Sequence, residues 1–122
     1  MSELHVLVVD DEQDASEIIA SLLAHYQVTT DRVESGEAAY DALMTTAYDA
    51  AIIDLFLADM DGIELIQAIR GNPEFVELPC IAVTAYNSST IRKQAIEAGY
   101  NRYFAKPVNH AELAQGLRDL LA

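Results

Sequence analysis

Short apolar segments alternate with helical patterns from one end of the chain to the other. Most of these segments are nearly continuous in hydrophobicity, which is typical of strands covered on both faces. They are LHVLVV (4–9), QVTTDRV (27–33), YDAAIID (48–54), LPCIAVT (78–84) and NRYFA (101–105). QVTTDRV is the most polar of the five, so it is predicted to lie at an edge of the sheet.

The intervening segments carry apolar residues at the spacing of an α-helix. The predicted helical faces are Ala15, Ile18, Ile19 and Leu22; Ile63, Ile66 and Ile69; Ile91, Ala95 and Ala98; and Leu113, Leu117 and Leu120, with a weaker helix that Ser35-Gly36 opens and that runs through Met44. Gly99 is predicted to end the fourth helix. Asn109, with Glu112 three residues later, resembles a capping box for the last one.

Five strands that alternate with five helices predict a parallel sheet with right-handed crossovers and helices on both faces. The 122 residues, just over half of them apolar, are enough for one domain, which we expect to span residues 1–122. In such sheets, ligands bind beyond the carboxyl ends of the strands, where the strand order reverses. The residues at those ends are therefore the candidate site.

Four of the five predicted strands end in, or are followed by, a polar residue that can bind phosphate or a metal. Asp10 and Asp11 follow the first strand, and Asp54 ends the third. Thr84 ends the fourth, and Lys106 follows the fifth. Taken singly, each has another explanation, since acids also favour the start of a helix. Their joint occurrence at strand ends favours one common site.

The chemistry of this set indicates phosphoryl transfer. Three carboxylates in one crevice repel one another unless a cation is present. Oxygen ligands with room for water favour Mg²⁺ over Ca²⁺, with Mn²⁺ as the alternative ion. Lys106 supplies a positive charge and Thr84 a hydroxyl donor for phosphoryl oxygens. Asp54, alone in the middle of the set, is the candidate nucleophile.

The charge of the chain is large and unevenly distributed. The net charge is −13, which argues against direct binding of nucleic acid. Residues 1–85 carry 17 acidic and 2 basic side chains, whereas residues 86–122 carry 3 acidic and 5 basic ones. This distribution indicates either a solubility effect or two surfaces that meet different partners.

Other features point to a cytoplasmic protein that does not enter a membrane. The N-terminus lacks the basic and apolar regions of a signal peptide, and no apolar run approaches the roughly 18 residues of a membrane span. Cys80 lies in the apolar run PCIAV and is predicted to be a buried structural thiol. The three histidines, His5, His25 and His110, lack metal-ligand spacing and are predicted to lie at the surface or at helix ends.

The polar set resembles the receiver domain of two-component response regulators, of the kind found in chemotaxis regulators. The resemblance rests on Asp10-Asp11, Asp54, Thr84-Ala85 and Lys106-Pro107, and it extends to DMDGIELIQAIR after Asp54, EAG (97–99) and the final helix. It implies a doubly wound, flavodoxin-like (βα)5 fold with strand order 2-1-3-4-5. It also implies a bacterial signalling switch rather than a turnover enzyme.

The resemblance assigns a role to each matching residue. Asp54 would accept a phosphoryl group from a sensor histidine kinase or a histidine phosphotransfer protein. Asp10 and Asp11, with Asp54 and the backbone carbonyl of Phe56, would hold Mg²⁺. Thr84 and Lys106 would contact the phosphoryl oxygens. Tyr103 matches the switch aromatic that moves inward when the phosphate attracts Thr84.

Phosphorylation would then alter the surface formed by the fourth helix, the fifth strand and the fifth helix. That surface belongs to the less acidic third of the chain. The basic residues assigned to it are Arg92, Lys93, Arg102 and Arg118. We therefore expect a downstream protein target, or a fused output domain, that presents an acidic or mixed patch.

The chain departs from the family pattern at three places. Ala58 stands where the family commonly has proline, so the loop after Asp54 is expected to be less rigid. Phe56 and Tyr86 occupy positions that control the approach of water to the phosphate, and their bulk predicts slow self-dephosphorylation. Asn101 and Arg102 replace paired acids, which argues against the dimer mode of many DNA-binding regulators.

Three other functions are weighed against this reading. A phosphatase of the haloacid-dehalogenase type would need a nucleophile and an acid two residues apart after the first strand, and Asp10-Asp11-Glu12 does not provide that pair. A flavodoxin-like electron carrier would need a loop rich in hydroxyls and glycine there. A degenerate receiver that acts as a constitutive docking module would be expected to lack one of the key residues. The chain would be a stand-alone regulator or a module of a longer one.

Overall fold

The structure is a computed structural model that describes residues 4–86 and 88–121, without the side chain of His110. These residues form five strands, β1 Leu4–Val9, β2 Val28–Val33, β3 Ala50–Asp54, β4 Cys80–Thr84 and β5 Arg102–Ala105. The helices between them are α1 Gln13–Ala24, α2 Gly36–Thr45, α3 Gly62–Gly71, α4 Ser89–Ala98 and α5 His110–Leu121, with a short 3₁₀ helix at Pro73–Phe75.

All strands are parallel and follow the order β2-β1-β3-β4-β5. The doubly wound fold, its strand order and the edge position of β2 are therefore confirmed. β1 begins where its apolar segment begins, and the other four strands begin one or two residues later than predicted. At β4 the cause is visible, because Pro79 precedes the strand and has no N–H for the ladder.

The sheet is covered on both faces, and β3 and β4 are buried along their whole length. One core cluster joins the sheet to α1 and α5 through residues such as Ile19, Leu23 and Leu113. The other joins the opposite face to α2, α3 and α4 through residues such as Leu43 and Ile66. This two-sided burial explains why the central strands are almost without polar residues.

The predicted face of α1 is wrong in one respect. Ser16, Ile19 and Leu23 are buried, whereas Ile18 is 60% exposed. Ile18 and Leu22 instead line an apolar groove with Pro107 and Val108. The apolar residues of α1 thus serve two surfaces, and the helical period alone did not separate them.

The predicted helix ends agree with the structure. The Ser35 hydroxyl accepts a hydrogen bond from the Ala38 N–H at 3.0 Å and begins α2. Asn109 Oδ1 accepts from the Glu112 N–H at 3.1 Å and begins α5. Gly99 follows α4 with φ of 134°, a backbone region that favours glycine.

The predicted burial of Cys80 is confirmed. Cys80 is fully buried, and burial raises the pKa of its thiol to about 11, as expected of a structural cysteine. Within residues 4–86 and 88–121, none of the helices combines the length and the apolar character needed to cross a bilayer.

Candidate functional site

The carboxyl ends of β1, β3 and β4 bring the predicted polar groups to one edge of the sheet. Asp10, Asp54 and Thr84 are buried there, whereas Asp11 is exposed. Oxygen atoms of Asp10, Asp11 and Asp54 all lie within 4.8 Å of one another. Parallel strands that end at the same edge explain this convergence of residues far apart in the chain.

Lys106, which follows β5, lies between two of these acids. Its Nζ is 2.7 Å from Asp10 Oδ2 and 2.9 Å from Asp54 Oδ2. Burial by itself lowers the pKa of Lys106, but the hydrogen bonds to Asp10 and Asp54, together with the attraction of their negative charges, raise the pKa above its ordinary value of 10.5. The ammonium therefore stays charged at neutral pH and offsets part of the acidic charge.

The environment of Asp54 disfavours its ionised form. Burial raises the pKa of Asp54 above its ordinary value of 3.8. A hydrogen bond from the Phe56 N–H to Asp54 Oδ1, at 2.9 Å, and the contact with Lys106 offset this effect only in part. A buried carboxylate that is only partly compensated is poised to gain from a further cation.

The three carboxylates fit a hard divalent cation. They supply hard oxygen atoms from the ends of β1 and β3, and exposed Asp11 leaves one side open to water. This combination of few protein ligands and accessible solvent is the one that Mg²⁺ favours. Phe56 lies beside the cluster, held by its N–H on Asp54 and by a bridge to Asp61.

Thr84 and Tyr103 are linked through the loop that follows β4. The Tyr86 N–H donates to Thr84 Oγ1 at 3.0 Å, and the Tyr103 hydroxyl donates to the Tyr86 carbonyl at 3.1 Å. Tyr103 is 8% exposed, so its ring is buried. Because the Thr84 hydroxyl accepts this hydrogen bond, its own hydrogen can still be donated to a ligand in the site.

Phe56 and Tyr86, which follow Asp54 and Thr84 by two residues each, are in contact through their aromatic rings. The rings of Phe56 and Tyr86 are in edge-to-face contact, with centroids 4.8 Å apart and an interplanar angle of 66°. Both side chains are otherwise exposed. Their mutual contact orders two groups that would be mobile if each stood alone.

The four predicted basic surface residues do not all share one surface. Arg92 lies over the Tyr103 ring, 5.8 Å from its centroid, and lines a groove between α4, β5 and α5 together with Arg102. Lys93 is exposed and pairs with Glu97 at 3.9 Å. Arg118 lies 5.0 Å over the Tyr26 ring, beside α1.

The sequence analysis did not single out Asp59. Its carboxylate accepts hydrogen bonds from the Gly36 N–H at 2.9 Å and from the Glu37 N–H at 3.1 Å. These bonds tie the β3–α3 loop to the first turn of α2, and they lower the pKa of Asp59. The spacing of apolar residues could not predict this contact, because Asp59 lies in a loop and its hydrogen-bond donors lie on α2.

Arg70 was also missed as a structural residue. It donates to the carbonyls of Phe75 and Leu78, both at 2.7 Å, and to that of Gly99 at 2.8 Å. Its guanidinium also bonds Asn101 Oδ1 at 3.1 Å, and this oxygen accepts from the Cys80 N–H as well. Asn101, noted above for replacing an acid, thus joins the end of α3 to the start of β4.

The prediction that the histidines lie at the surface or at helix ends is confirmed for His25 and wrong for His5, which is a half-buried residue of β1. His25 is exposed at the end of α1. His5 Nε2 lies 2.9 Å from Asp31 Oδ2, far from the acid cluster in the fold. Among the described residues, Asp10, Asp11 and Asp54 are the group with metal-ligand geometry. The side chain of His110 lies outside the described part of the chain.

The fold and the position of the cluster define a doubly wound α/β domain with an acidic site at its switch point. The family model for the response regulator receiver domain matches residues 6–118, and the chain belongs to that family. Members of this family are signalling domains of two-component systems and not, in general, turnover enzymes.

Individual relatives agree with this assignment. A crystal structure from Chloroflexus aurantiacus, described as that of a response regulator, superimposes with a TM-score of 0.95 at 30% identity and 98% coverage of both chains. Response regulator RppA of Synechocystis is 35% identical over 96% of this chain and 50% of its own length. Response regulator ArlR of Staphylococcus epidermidis is 30% identical over 96% of this chain and 52% of its own length. The chain thus spans about half the length of these two regulators.

Proposed function

We propose that this chain is a phosphorylation-activated switch of a two-component phosphorelay, with Asp54 as the phosphoryl acceptor. The observation that carries the proposal is the cluster of Asp54 with Asp10, Asp11 and Lys106 at the switch point of the sheet. The same receiver domain would comprise residues 1–122 and act in the cytoplasm. None of the acid, threonine and lysine positions of the family pattern is lost, which argues against a degenerate docking module.

In the proposed reaction, a carboxylate oxygen of Asp54 forms a bond to phosphorus while the P–N bond of a phosphohistidine breaks. The leaving imidazole takes up a proton from water. Bound Mg²⁺ would neutralise charge on the phosphoryl group, and the residues that would hold it are Asp10, Asp11, Asp54 and the carbonyl of Phe56. Positioning and charge neutralisation account for most catalysis of this kind.

Lys106 and Thr84 would respond directly to the new phosphoryl group. The Lys106 ammonium, now shared between Asp10 and Asp54, would move onto a phosphoryl oxygen. Thr84 would donate its hydroxyl hydrogen to another. Because Tyr86 connects Thr84 to Tyr103, a shift of Thr84 would bias the position of the Tyr103 ring.

Two surfaces fit the two partners that response regulators have, histidine kinases and output domains. The apolar groove of Ile18, Leu22, Pro107 and Val108 borders Lys106, so a phosphodonor histidine that docks there would face the site. On the other side, Arg92 and Arg102 flank Tyr103. An output partner with an acidic or mixed patch would bind at that second surface.

Intact-mass measurement after incubation with acetyl phosphate and Mg²⁺ tests the proposal. We expect a phosphoryl adduct on the wild type, no adduct on Asp54→Asn, and loss of the adduct when EDTA removes the metal. Asp41→Asn is a matched control that removes an exposed carboxylate of α2 while leaving the acceptor and its loop unchanged. A wild type that stays unmodified, or an adduct on Asp54→Asn, would refute Asp54 as the acceptor.

A further inference from the structure

The loop between β3 and α3 lacks the usual source of stiffness. Ala58 leaves φ unrestrained in the middle of this loop, where proline would restrict it. The loop nevertheless carries Phe56, whose carbonyl is a proposed metal ligand. Something else must therefore hold the segment in place.

Two contacts fasten the loop to the start of α2. The Asp59 carboxylate uses one oxygen for the Gly36 N–H and the other for the Glu37 N–H. Next to it, the Met60 side chain packs so closely on Gly36 that a Cβ there would lie 2.5 Å from Met60 Cγ. A side chain at position 36 would therefore displace the Met60 side chain from this contact.

These bonds complete the hydrogen bonding of the first turn of α2. The Ala38 N–H donates to Ser35 Oγ, and the Ala39 N–H donates to the Ser35 carbonyl at 3.0 Å. Asp59 accepts from the two N–H groups that Ser35 does not reach. The acid also lies at the positive end of the helix dipole, so the attachment is favoured electrostatically as well.

The attachment at Asp59 is independent of the reacting group. Near the start of the loop, a bridge pairs Phe56 with Asp61 and the Gly62 N–H donates to the Leu55 carbonyl at 2.7 Å. The Phe56 N–H also donates a hydrogen bond to Asp54 Oδ1. That bond competes with a phosphoryl group or a metal for the oxygens of Asp54. The bonds of Asp59 to α2 involve no atom of the acid cluster, so they persist when Asp54 changes its partners.

We propose that Asp59 is a positioning residue for the metal site, which holds the Phe56 carbonyl at the acid cluster by tying the β3–α3 loop to the first turn of α2. This inference rests on the proposed function, since it assumes Mg²⁺ at Asp10, Asp11 and Asp54. It assigns a role to an exposed loop acid that touches neither the metal nor the phosphoryl group.

The affinity for Mg²⁺ alone, titrated by NMR on the backbone amides of Asp11 and Phe56 at constant ionic strength, tests the inference. Asp59→Ala should raise the Kd for Mg²⁺ about tenfold, the low end for groups that orient metal ligands from outside. Asp59→Asn keeps one acceptor oxygen and should give an intermediate Kd. If Asp59→Ala does not fold, Asp59→Asn must still raise the Kd.

Two control variants separate positioning from simpler effects. Ser35→Ala removes the other cap of α2 and should lower the melting temperature with little change in the Kd. Asp41→Ala removes one negative charge from α2 without touching the loop, and it reports the effect of charge alone. If Asp59→Ala matches either control in its Kd, the positioning role is refuted while the proposed function stands. A wild type that binds no Mg²⁺ would refute both.

Discussion

Lys106 and Asp54 are 52 residues apart in the chain, yet Lys106 Nζ lies 2.9 Å from Asp54 Oδ2, and the same ammonium lies 2.7 Å from Asp10 Oδ2. One half-buried cation is thus shared by two buried anions, with exposed Asp11 close to them. The cluster has an excess of negative charge. Because of this excess of negative charge, substitutions in the cluster should change the stability of the protein as well as its function.

Removal of the shared cation should destabilise the protein strongly. Lys106→Met leaves Asp10 and Asp54 without their counter-ion, and we expect a loss of about 3 kcal/mol in the free energy of unfolding, limited by protonation of the acids. Added Mg²⁺ should restore more stability to this variant than to the wild type. Urea unfolding with and without Mg²⁺ measures both effects.

Lys93→Met is the matched control for this experiment. Lys93 pairs with Glu97 at 3.9 Å, but both side chains are well exposed, so its loss should cost less than about 1 kcal/mol. Equal losses for Lys106→Met and Lys93→Met would contradict the view that Lys106 compensates buried charge.

Removal of the charge on Asp54 should have the opposite effect. Burial raises the pKa of Asp54, so its ionisation is less favourable in the folded than in the unfolded protein. We expect Asp54→Asn to be more stable than the wild type at pH 7 without metal, by on the order of 1 kcal/mol. Thermal unfolding followed by circular dichroism measures this difference.

The sign of this effect also predicts its pH dependence. Below the ordinary value of 3.8 the carboxyl is protonated in both states, and the advantage of Asp54→Asn should vanish. As pH rises from there through the raised pKa of folded Asp54, the advantage should appear. A difference in stability that grows as pH falls would contradict the raised pKa.

The paired rings of Phe56 and Tyr86 should slow hydrolysis of the phosphorylated domain. The rings contact each other edge to face at 4.8 Å, two residues after Asp54 and Thr84, and we expect them to restrict the approach of water to Asp54. Phe56→Asn replaces a ring with an amide that can bind water, and we expect dephosphorylation about tenfold faster or more. Decay of the intact-mass adduct at neutral pH with Mg²⁺ measures the rate.

Phe56→Tyr is the control, because it keeps the ring and should remain slow. Two results would argue against the shielding role. One is a half-life of only seconds for the wild type. The other is equal decay of the adduct in the wild type and Phe56→Asn.

Thr84 should be required for signalling but not for phosphorylation. The path from the site to Tyr103 runs through Thr84 Oγ1 and the backbone of Tyr86. With beryllofluoride as a phosphoryl mimic, Thr84→Ala should bind the mimic and lose most of the change in the NMR signals of Tyr103. Thr84→Ser keeps the hydroxyl and should retain that change. Full retention in Thr84→Ala would exclude this path.

Charge reversal at α4 should weaken output binding without affecting the site. Arg92 lies over Tyr103, and Lys93 is the next residue. We expect Arg92→Glu with Lys93→Glu to reduce affinity for the output partner, measured by interferometry, while acetyl phosphate still modifies Asp54. Arg118→Glu is the matched control, because Arg118 lies on Tyr26 beside α1. Unchanged binding in the double variant would contradict the assignment of this surface.

The sequence predicted the order of elements well because burial is periodic. Strands covered on both faces must be apolar throughout, so β3 and β4 were recognisable from composition alone. Helices that pack on a sheet repeat their apolar residues every three or four positions, which located α3 and α5. The period failed for α1, where Ile18 faces the groove beside Lys106 instead of the core.

The sequence by itself determined the fold class, the strand ends and the convergence of Asp10, Asp11, Asp54, Thr84 and Lys106, because parallel strands place their carboxyl ends at one edge. The tertiary structure alone decided the individual contacts. Examples are the ammonium of Lys106 shared between two acids, Arg118 on Tyr26, and the bonds from Asp59 to α2. Such contacts join residues from separate elements. Their geometry depends on how helices and loops pack, and no local sequence pattern specifies that packing.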